Sequence, residues 1–155
     1  MEMRRKDRQM NDEEALTLLK AGEYGILATV DNDGQPYGVP LSYVVVDNCI
    51  YYHGTNAGGT KYNNIINNHK VTFTVVGNTK VMPEKFGTLY ESVIALGEAS
   101  EVTDEAQKRA ALKEFLYKYS SDFIAEGEKY VEAAASKTAI IKIEIKKLTG
   151  KHRVS

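Results

Sequence analysis

Several residue types that would narrow the function at once are scarce or missing in this chain of 155 residues. It has no tryptophan and one cysteine, Cys49, which excludes an internal disulfide bond and favours a reducing compartment such as the cytoplasm. Cys49 lies in an apolar run, where packing explains it better than catalysis. The three histidines, His53, His69 and His152, share no metal-ligand spacing, so we expect no metal site.

Charge of one sign and long apolar runs are missing as well. With 20 basic and 21 acidic residues, the chain has no general electrostatic attraction for nucleic acids or anionic membranes. A barrel that binds single-stranded nucleic acid would need a basic face with interleaved aromatic residues, and the near-neutral charge argues against one. No stretch approaches the roughly 18 apolar residues of a membrane span. We therefore expect no nucleic-acid partner and no membrane insertion.

Constellations of catalytic side chains are also missing. No Ser-His-Asp set, H-E-x-x-H motif, carboxylate pair or Cys-His arrangement stands out, and the acidic residues cluster at predicted helix starts, where capping explains them. An enzyme with so few reactive side chains needs a cofactor to carry its chemistry. The next question is therefore which segments could bind a cofactor.

The hydrophobic pattern predicts one domain over residues 1–155, mainly β with peripheral helices. Six alternating or β-branched runs joined by short hairpin turns predict one antiparallel barrel. Pro40 interrupts the second strand, which therefore lies at a sheet edge or carries a bulge, and Gly97 bends the fifth. The predicted strands are 25–30, 37–46, 49–53, 71–76, 90–102 and 138–146. Predicted helices begin at Asn11 and at Thr103-Asp104 and cover 59–68 and 128–135, and the one after Asp104 carries an apolar stripe of Leu112, Phe115, Leu116 and Tyr119.

Two segments are expected to lie outside this pattern. Residues 1–10 are locally basic and lack a following apolar segment, so they predict a solvated tail rather than a signal peptide. Residues 77–89 carry Asn, Pro and Gly without clear periodicity. Because long irregular loops in compact domains are often functional, we expect this loop to form a lid or a wall of the site.

The segment YYHGTNAGGTK, residues 51–61, has Gly54 and Gly59 at the spacing of a P-loop, but Thr60 precedes Lys61. A P-loop needs its lysine directly after the last glycine to reach a triphosphate, and no strand-helix-strand series follows, so we reject a nucleoside triphosphatase. Two interpretations remain open. The end of the segment forms either a nest of backbone N–H groups for one terminal phosphate at a helix start, or a glycine-rich turn with a solvated lysine.

His53 ends an apolar strand and directly precedes this glycine segment. It is either a packed or surface residue, or a hydrogen-bond donor to an anion held by the turn. Tyr51 and Tyr52 point to opposite faces of the strand, so only one of them can share the surroundings of His53. Spacing alone assigns no catalytic role to any of the ten tyrosines.

Four segments occur in the order of one protein family: "MRRKDRQM", "GILATVDNDGQPYGVPLSYV", "IYYHGTNAGGTKYNNIINNHKVTFTVVG" and "YESVIALGEASEV". With them the chain resembles the flavin-binding split-barrel proteins related to pyridoxamine 5′-phosphate oxidase, and most closely their nitroimidazole-resistance (Nim-type) branch. The resemblance covers nearly the whole chain. It implies a six-stranded antiparallel split β-barrel with FMN in a groove between the two subunits of a homodimer.

The resemblance also implies which residues form the FMN site. Val39, Pro40, Leu41 and Tyr43 would line the isoalloxazine, His53, Gly54, Thr60 and Lys61 would hold the ribityl phosphate, and Glu91, Ser92 and Val93 would complete the site from the other subunit. His53 also keeps haem open as an alternative cofactor. The chain lacks the basic residues that the pyridoxamine phosphate oxidases carry at the positions of 38–43 and 90–94. Without them a second phosphate has no evident partner, so we do not expect vitamin B6 oxidation.

The function that the resemblance implies is that of an FMN-dependent oxidoreductase. It would pass electrons from NADH or NADPH to a small acceptor such as a nitro compound. The alternative is a non-catalytic flavin or haem carrier, because the same phosphate nest and the same lack of catalytic side chains fit that function equally.

Overall fold

The computed structural model describes residues 2–55 and 58–155. Within these residues the chain forms seven strands of one antiparallel sheet and four α-helices. The strands are β1 (Gly25–Val30), β2 (Pro36–Leu41), β3 (Val44–Val46), β4 (Cys49–Thr55), β5 (Lys70–Met82), β6 (Gly87–Val102) and β7 (Thr138–Arg153). The helices are α1 (Asp12–Ala21), α2 (Thr60–Asn67), α3 (Glu105–Tyr119) and α4 (Ile124–Ala134). The predicted class, mainly antiparallel β with peripheral helices, is confirmed.

The sheet has the strand order β2-β1-β5-β6-β7-β4-β3, so β2 and β3 are its two edges. It curves strongly enough for Tyr43, which follows β2, to pack against Phe73 of β5 with their ring centroids 4.7 Å apart. Pro40 lies on edge strand β2 and pairs with Ile26 of β1. An edge strand is one of the few places in a sheet that tolerate a residue without an N–H group.

The predicted second strand is divided in two, which gives seven strands rather than six. The break falls at Ser42 and Tyr43 instead of Pro40. The backbone of Tyr43 pairs with α3 and not with a strand: its N–H donates to the Tyr119 hydroxyl at 3.0 Å, and its carbonyl accepts from Lys118 Nζ at 2.9 Å. The Tyr43 side chain is fully buried in the core. The connection between β2 and β3 is therefore held by α3 through its backbone and by the core through this side chain.

Residues 77–89 form an extended hairpin, and the prediction of an irregular loop there is wrong. β5 continues to Met82, one 3-10 turn covers Pro83–Lys85, and β6 starts at Gly87. Pairing with β6 shifts at a bulge between Val76 and Thr79. The strand signal is absent from the sequence because residues 78–81 are all exposed, so neither face of this part of β5 requires apolar side chains.

Two predicted local features are present. α1 begins with a capping box, in which Asn11 Oδ1 accepts from the Glu14 N–H at 2.8 Å and Glu14 Oε2 accepts from the Asn11 N–H at 3.0 Å. At Gly97 the register between β6 and β7 shifts, and a Cβ there would lie 2.6 Å from the Glu144 carbonyl oxygen. The backbones therefore approach so closely at this bulge that only glycine fits without a shift.

The main core lies inside the curved sheet, where α1 closes one end. Its fully buried side chains include Leu19, Leu27, Tyr43, Ile50, Phe73, Val75, Val93 and Ile143. A second, smaller cluster packs α3 and α4 on the outer face of β6 and β7, with Val102, Ala111, Leu112, Val131, Ala135 and Ile140. The two clusters lie on opposite faces of the sheet.

The N-terminal segment is partly held against the sheet rather than fully solvated. Gln9 forms an isolated β-bridge with Lys151, and the Met10 N–H donates to the Gly150 carbonyl at 2.9 Å. The Met10 side chain is buried in the main core. The end of the predicted tail therefore contacts β7. Among the helices of the described segments, none has the length and apolar character needed to cross a bilayer.

Candidate functional site

A cleft of about 410 Å³ opens between β4, the β2–β3 connection and helices α3 and α4. Its size falls within the usual range of small-molecule sites. The walls are mainly apolar and aromatic, and among the described residues that line it there is no Asp, Glu, Lys or Arg. The lining includes Ser42, His53, Phe115, Leu116, Tyr119 and Tyr130. We call it the α3/α4 cleft.

His53 belongs to β4, and its imidazole lies on the outer face of the sheet. The preceding Tyr52 is buried inside the barrel, so His53 turns towards α3 and meets the Phe115 ring edge-on, with centroids 4.7 Å apart at 72°. Part of the side chain stays exposed, yet burial by its neighbours lowers the pKa of His53. The imidazole is therefore mainly neutral at pH 7 and offers one acceptor nitrogen and one N–H group.

Lys118 of α3 does not line the cleft, and its ammonium contacts Tyr43 of the main core instead. Its Nζ donates to the Tyr43 carbonyl at 2.9 Å and lies 3.9 Å from the Tyr43 ring centroid. Both contacts favour the charged form. Burial opposes them and prevails, lowering the pKa of Lys118 to about 8. The ammonium of Lys118 therefore binds the connection between β2 and β3 and offers no charge to a ligand in the cleft.

The lowered pKa of Lys118 predicts that stability rises with pH. Between the folded pKa of about 8 and the ordinary value of 10.5, the unfolded chain binds more protons than the folded one, so the free energy of unfolding increases through this window. We expect a rise of about 1 kcal/mol between pH 8 and pH 10 in urea denaturation, reduced from the full shift by solvent screening. Lys118→Met should abolish it, and an equal rise in both proteins would contradict the prediction. Burial raises the pKa of Cys49 and of Tyr43, and both act in the opposite direction, so the measured quantity is the difference between wild type and Lys118→Met.

A second part of the site lies at the start of α2. Gly58 has φ 79° and Gly59 has φ 136°, values in the left-handed region that favours glycine. Gly59 caps α2 without a side-chain hydrogen bond, and the first turn holds no acidic residue. The backbone N–H groups at the start of α2 and the helix dipole favour an anion at this turn, beside Thr60 and Lys61. We call residues 58–61 the α2 turn.

The described residues leave space beside two glycines of this region. Among these residues, no atom lies within 4 Å of a Cβ built on Gly54 or on Gly59, so they leave both backbones accessible to a ligand. The residues present thus fit a phosphate group. They offer backbone N–H groups without a side-chain cap, the Thr60 hydroxyl, the Lys61 ammonium and space beside the two glycines. Residues 56–57, in the middle of the predicted glycine segment, lie outside the described residues.

The structure brings only some of the predicted cofactor residues together. Val39, Pro40 and Leu41 lie on edge strand β2, and Leu41 leads directly to Ser42 in the α3/α4 cleft. Tyr43 is fully buried in the main core, and its N–H and carbonyl are paired with α3, so its ring lies away from the cleft. His53 lines the cleft, whereas Gly54, Thr60 and Lys61 do not.

The residues predicted to act from another subunit lie elsewhere on the chain. Val93 is fully buried in the main core. Ser92 lines a surface pocket with Ile94, and Glu91 Oε2 accepts from the Asn78 N–H at 3.4 Å. Their part in a second subunit's site stays a prediction.

Sequence reasoning missed the walls of the α3/α4 cleft. The sequence predicts Phe115, Leu116 and Tyr119 only as the apolar stripe of a helix, because spacing indicates a face of the helix and not what that face contacts. Tyr130, which is 73% exposed on α4, gave no signal at all. Within residues 2–55 and 58–155 no group of three His, Cys, Asp or Glu side chains could hold a metal ion.

A sequence model of the pyridoxamine 5′-phosphate oxidase family matches residues 11–152. The match covers most of the chain, so this protein belongs to that family, as the ordered segments implied. A comparison with curated proteins finds no match.

Solved structures share the fold at low sequence identity. A proposed 5-nitroimidazole antibiotic resistance protein from Bacteroides thetaiotaomicron is 22% identical with a TM-score of 0.79, over 93% of this chain and 86% of that one. An FAD- and haem-binding protein from Mycobacterium smegmatis is 17% identical with a TM-score of 0.82, over 96% and 74%. An FAD-binding protein from Mesorhizobium loti is 24% identical with a TM-score of 0.68, over 95% and 98%. These likenesses identify the fold as a split barrel.

Proposed function

We propose that this protein binds FMN and acts as an oxidoreductase towards a small acceptor such as a nitro compound. The observation that carries the proposal is the α2 turn, where two glycines with positive φ precede a helix whose first N–H groups have no side-chain cap. Such a turn suits one terminal phosphate, which FMN has. Membership of the pyridoxamine 5′-phosphate oxidase family and the flavin-binding structural relatives support the same cofactor class.

The residues of this chain would bind and orient the cofactor. Lys61 and the N–H groups of the α2 turn would hold the phosphate, while Gly54 leaves room beside it. β2 pairs only with β1 among the described strands, so the backbone groups on its other edge can hydrogen-bond to a ring held beside Val39, Pro40 and Leu41. A bound flavin supplies the electron-transfer chemistry that the side chains lack.

A homodimer forms part of the proposal because an uncharged row crosses the outer face of the sheet. The strand registers align Pro40, Ile26, Thr74, Ile94 and Thr149 in a single row over five strands. Ile26 is 37% exposed there. A two-fold contact centred on Thr74 of this row would place β6 of a second copy against β1, next to β2, the strand proposed to hold the flavin ring. Such self-complementary contacts are typical of homodimers.

Ile94→Glu is expected to convert a dimer into a monomer, because it places two like charges, one from each copy, in an apolar contact. Sedimentation velocity would measure the change. Val81→Glu is the matched control, since Val81 is 67% exposed on the β5–β6 hairpin and lies off the row. A wild-type monomer, or a variant that stays dimeric, would contradict the assignment of this face.

Two measurements test the function. Apo-protein is titrated with FMN while flavin fluorescence and the visible spectrum are followed, and the complex then receives NADH or NADPH without oxygen. We expect saturable binding followed by bleaching of the flavin absorbance. A colourless protein that takes up no FMN would sink the proposal. Binding without bleaching would favour the carrier, and a Soret band after haem addition would favour haem as its cargo.

A further inference from the structure

The α3/α4 cleft has walls that the proposed flavin contacts do not use. Neither β2 residues 39–41 nor the α2 turn lines it, although Ser42 joins it to the end of β2. The cleft and the proposed cofactor site are therefore neighbours that share His53 and little else.

The walls favour a flat ligand. The rings of Phe115 and Tyr119 lie nearly parallel, with centroids 6.0 Å apart at 21°, and His53 meets Phe115 edge-on. Tyr130 at the mouth is mostly exposed and can add a further aromatic surface. Aromatic side chains in such arrangements bind other rings by stacked and edge-to-face contacts.

The electrostatics favour a ligand without charge. Among the described lining residues there is no carboxylate, ammonium or guanidinium group, and the nearby Lys118 ammonium is bound to the Tyr43 carbonyl. The Tyr119 hydroxyl is also engaged, since it accepts from the Tyr43 N–H and lies 2.7 Å from the Glu23 carbonyl oxygen. The polar groups that remain on the wall include the imidazole of His53 and the hydroxyl of Ser42. A charged ligand entering this cleft would lose hydration without gaining a partner of opposite charge.

We propose that the α3/α4 cleft is a binding site for an uncharged, planar aromatic molecule, separate from the flavin site. Its wall rings stack on the ligand, and His53 exchanges one hydrogen bond with it. If FMN lies along β2 as proposed above, the ligand is the acceptor, and only that clause rests on the proposed function.

Two fluorescent probes with one skeleton test the charge rule. N-phenyl-1-naphthylamine is uncharged and carries one N–H donor, and 1-anilinonaphthalene-8-sulfonate adds a sulfonate to the same rings. Titrated into apo-protein, the uncharged probe is expected to show saturable fluorescence enhancement with a Kd at least about tenfold lower than the anion, equivalent to about 1.4 kcal/mol. No saturable binding of the uncharged probe, or equal affinities, would overturn the proposal.

Two alanines of α4 give a matched pair of variants that tests the location. Ala134 lines the cleft, whereas Ala133 is exposed beside it. Ala134→Trp fills the cleft and is expected to abolish enhancement by the uncharged probe, while Ala133→Trp leaves it unchanged. Should Ala134→Trp fail to fold by circular dichroism, His53→Leu replaces it, with an expected loss of about fivefold in affinity for one hydrogen bond. A folded variant that binds like the wild type would refute the site.

Competition with FMN separates this proposal from the previous one. Saturating FMN is expected to leave the uncharged probe bound, with a Kd within about threefold of its value in apo-protein. Stoichiometric displacement would mean that the cleft is the ring subsite of the flavin, which overturns a separate site. A protein that binds no FMN but retains the probe would overturn the proposed function alone.

Discussion

Lys61→Ala is expected to weaken FMN binding by about 1.5–3 kcal/mol, an increase of roughly 10- to 150-fold in Kd. Lys61 lies in the first turn of α2, which contains no acidic residue and where the helix dipole already favours an anion. Removing its ammonium deletes one charged hydrogen bond to the phosphate and leaves the backbone donors in place. Fluorescence titration of apo-protein with FMN measures the change.

Lys113→Ala is the matched control for this variant, because Lys113 is exposed on the helix surface of α3. Its FMN affinity should equal that of the wild type. Lys61→Arg keeps the charge and should recover most of the lost affinity. Identical titrations of Lys61→Ala and Lys113→Ala would show that the α2 turn does not hold the phosphate.

Phe73→Ala is expected to lower the free energy of unfolding by about 3–5 kcal/mol. The Phe73 ring has no exposed surface and meets Tyr43 edge-on at 4.7 Å. It also lies directly on the backbone of β1, since a Cβ built on Gly25 would stand 2.2 Å from the ring. A paired strand cannot move into the space that the ring leaves, so the cavity stays open. Urea denaturation followed by circular dichroism measures the loss.

Phe86→Ala provides the comparison within the same hairpin. Phe86 lies between β5 and β6 and is 98% exposed, so truncating it should change the free energy of unfolding by less than about 0.5 kcal/mol. Similar losses in the two variants would mean that exposure does not separate core from surface in this hairpin.

The sequence predicted those parts of the fold that short-range rules control. The capping box at Asn11, an edge or a bulge at Pro40 and a bend at Gly97 were each predicted from one residue and its neighbours, and the structure has the capping box, an edge strand and a bulge at these positions. The break between β2 and β3 could not be predicted, because the group that receives the Tyr43 N–H belongs to Tyr119, 76 positions later. No periodicity within residues 37–46 records such a partner.

The candidate site divides in the same way. The α2 turn was predicted because Gly58 and Gly59 are needed for the backbone itself, and their positive φ values agree with that expectation. The α3/α4 cleft was not predicted, since Phe115 and Tyr130 come from two helices that meet only in the folded chain. The identity of a ligand depends more on such contacts between distant segments than on any single motif.

The place of β4 in the sheet has a consequence for synthesis on the ribosome. β3 and β4 pair with each other, but their only other neighbour among the described strands is β7, which is made after all of them. An isolated two-stranded hairpin is marginal in water. The nascent chain therefore carries β3 and β4 without a further strand to pair with until β7 emerges. Addition of the β3–β4 hairpin to the sheet is therefore a late event in folding during synthesis.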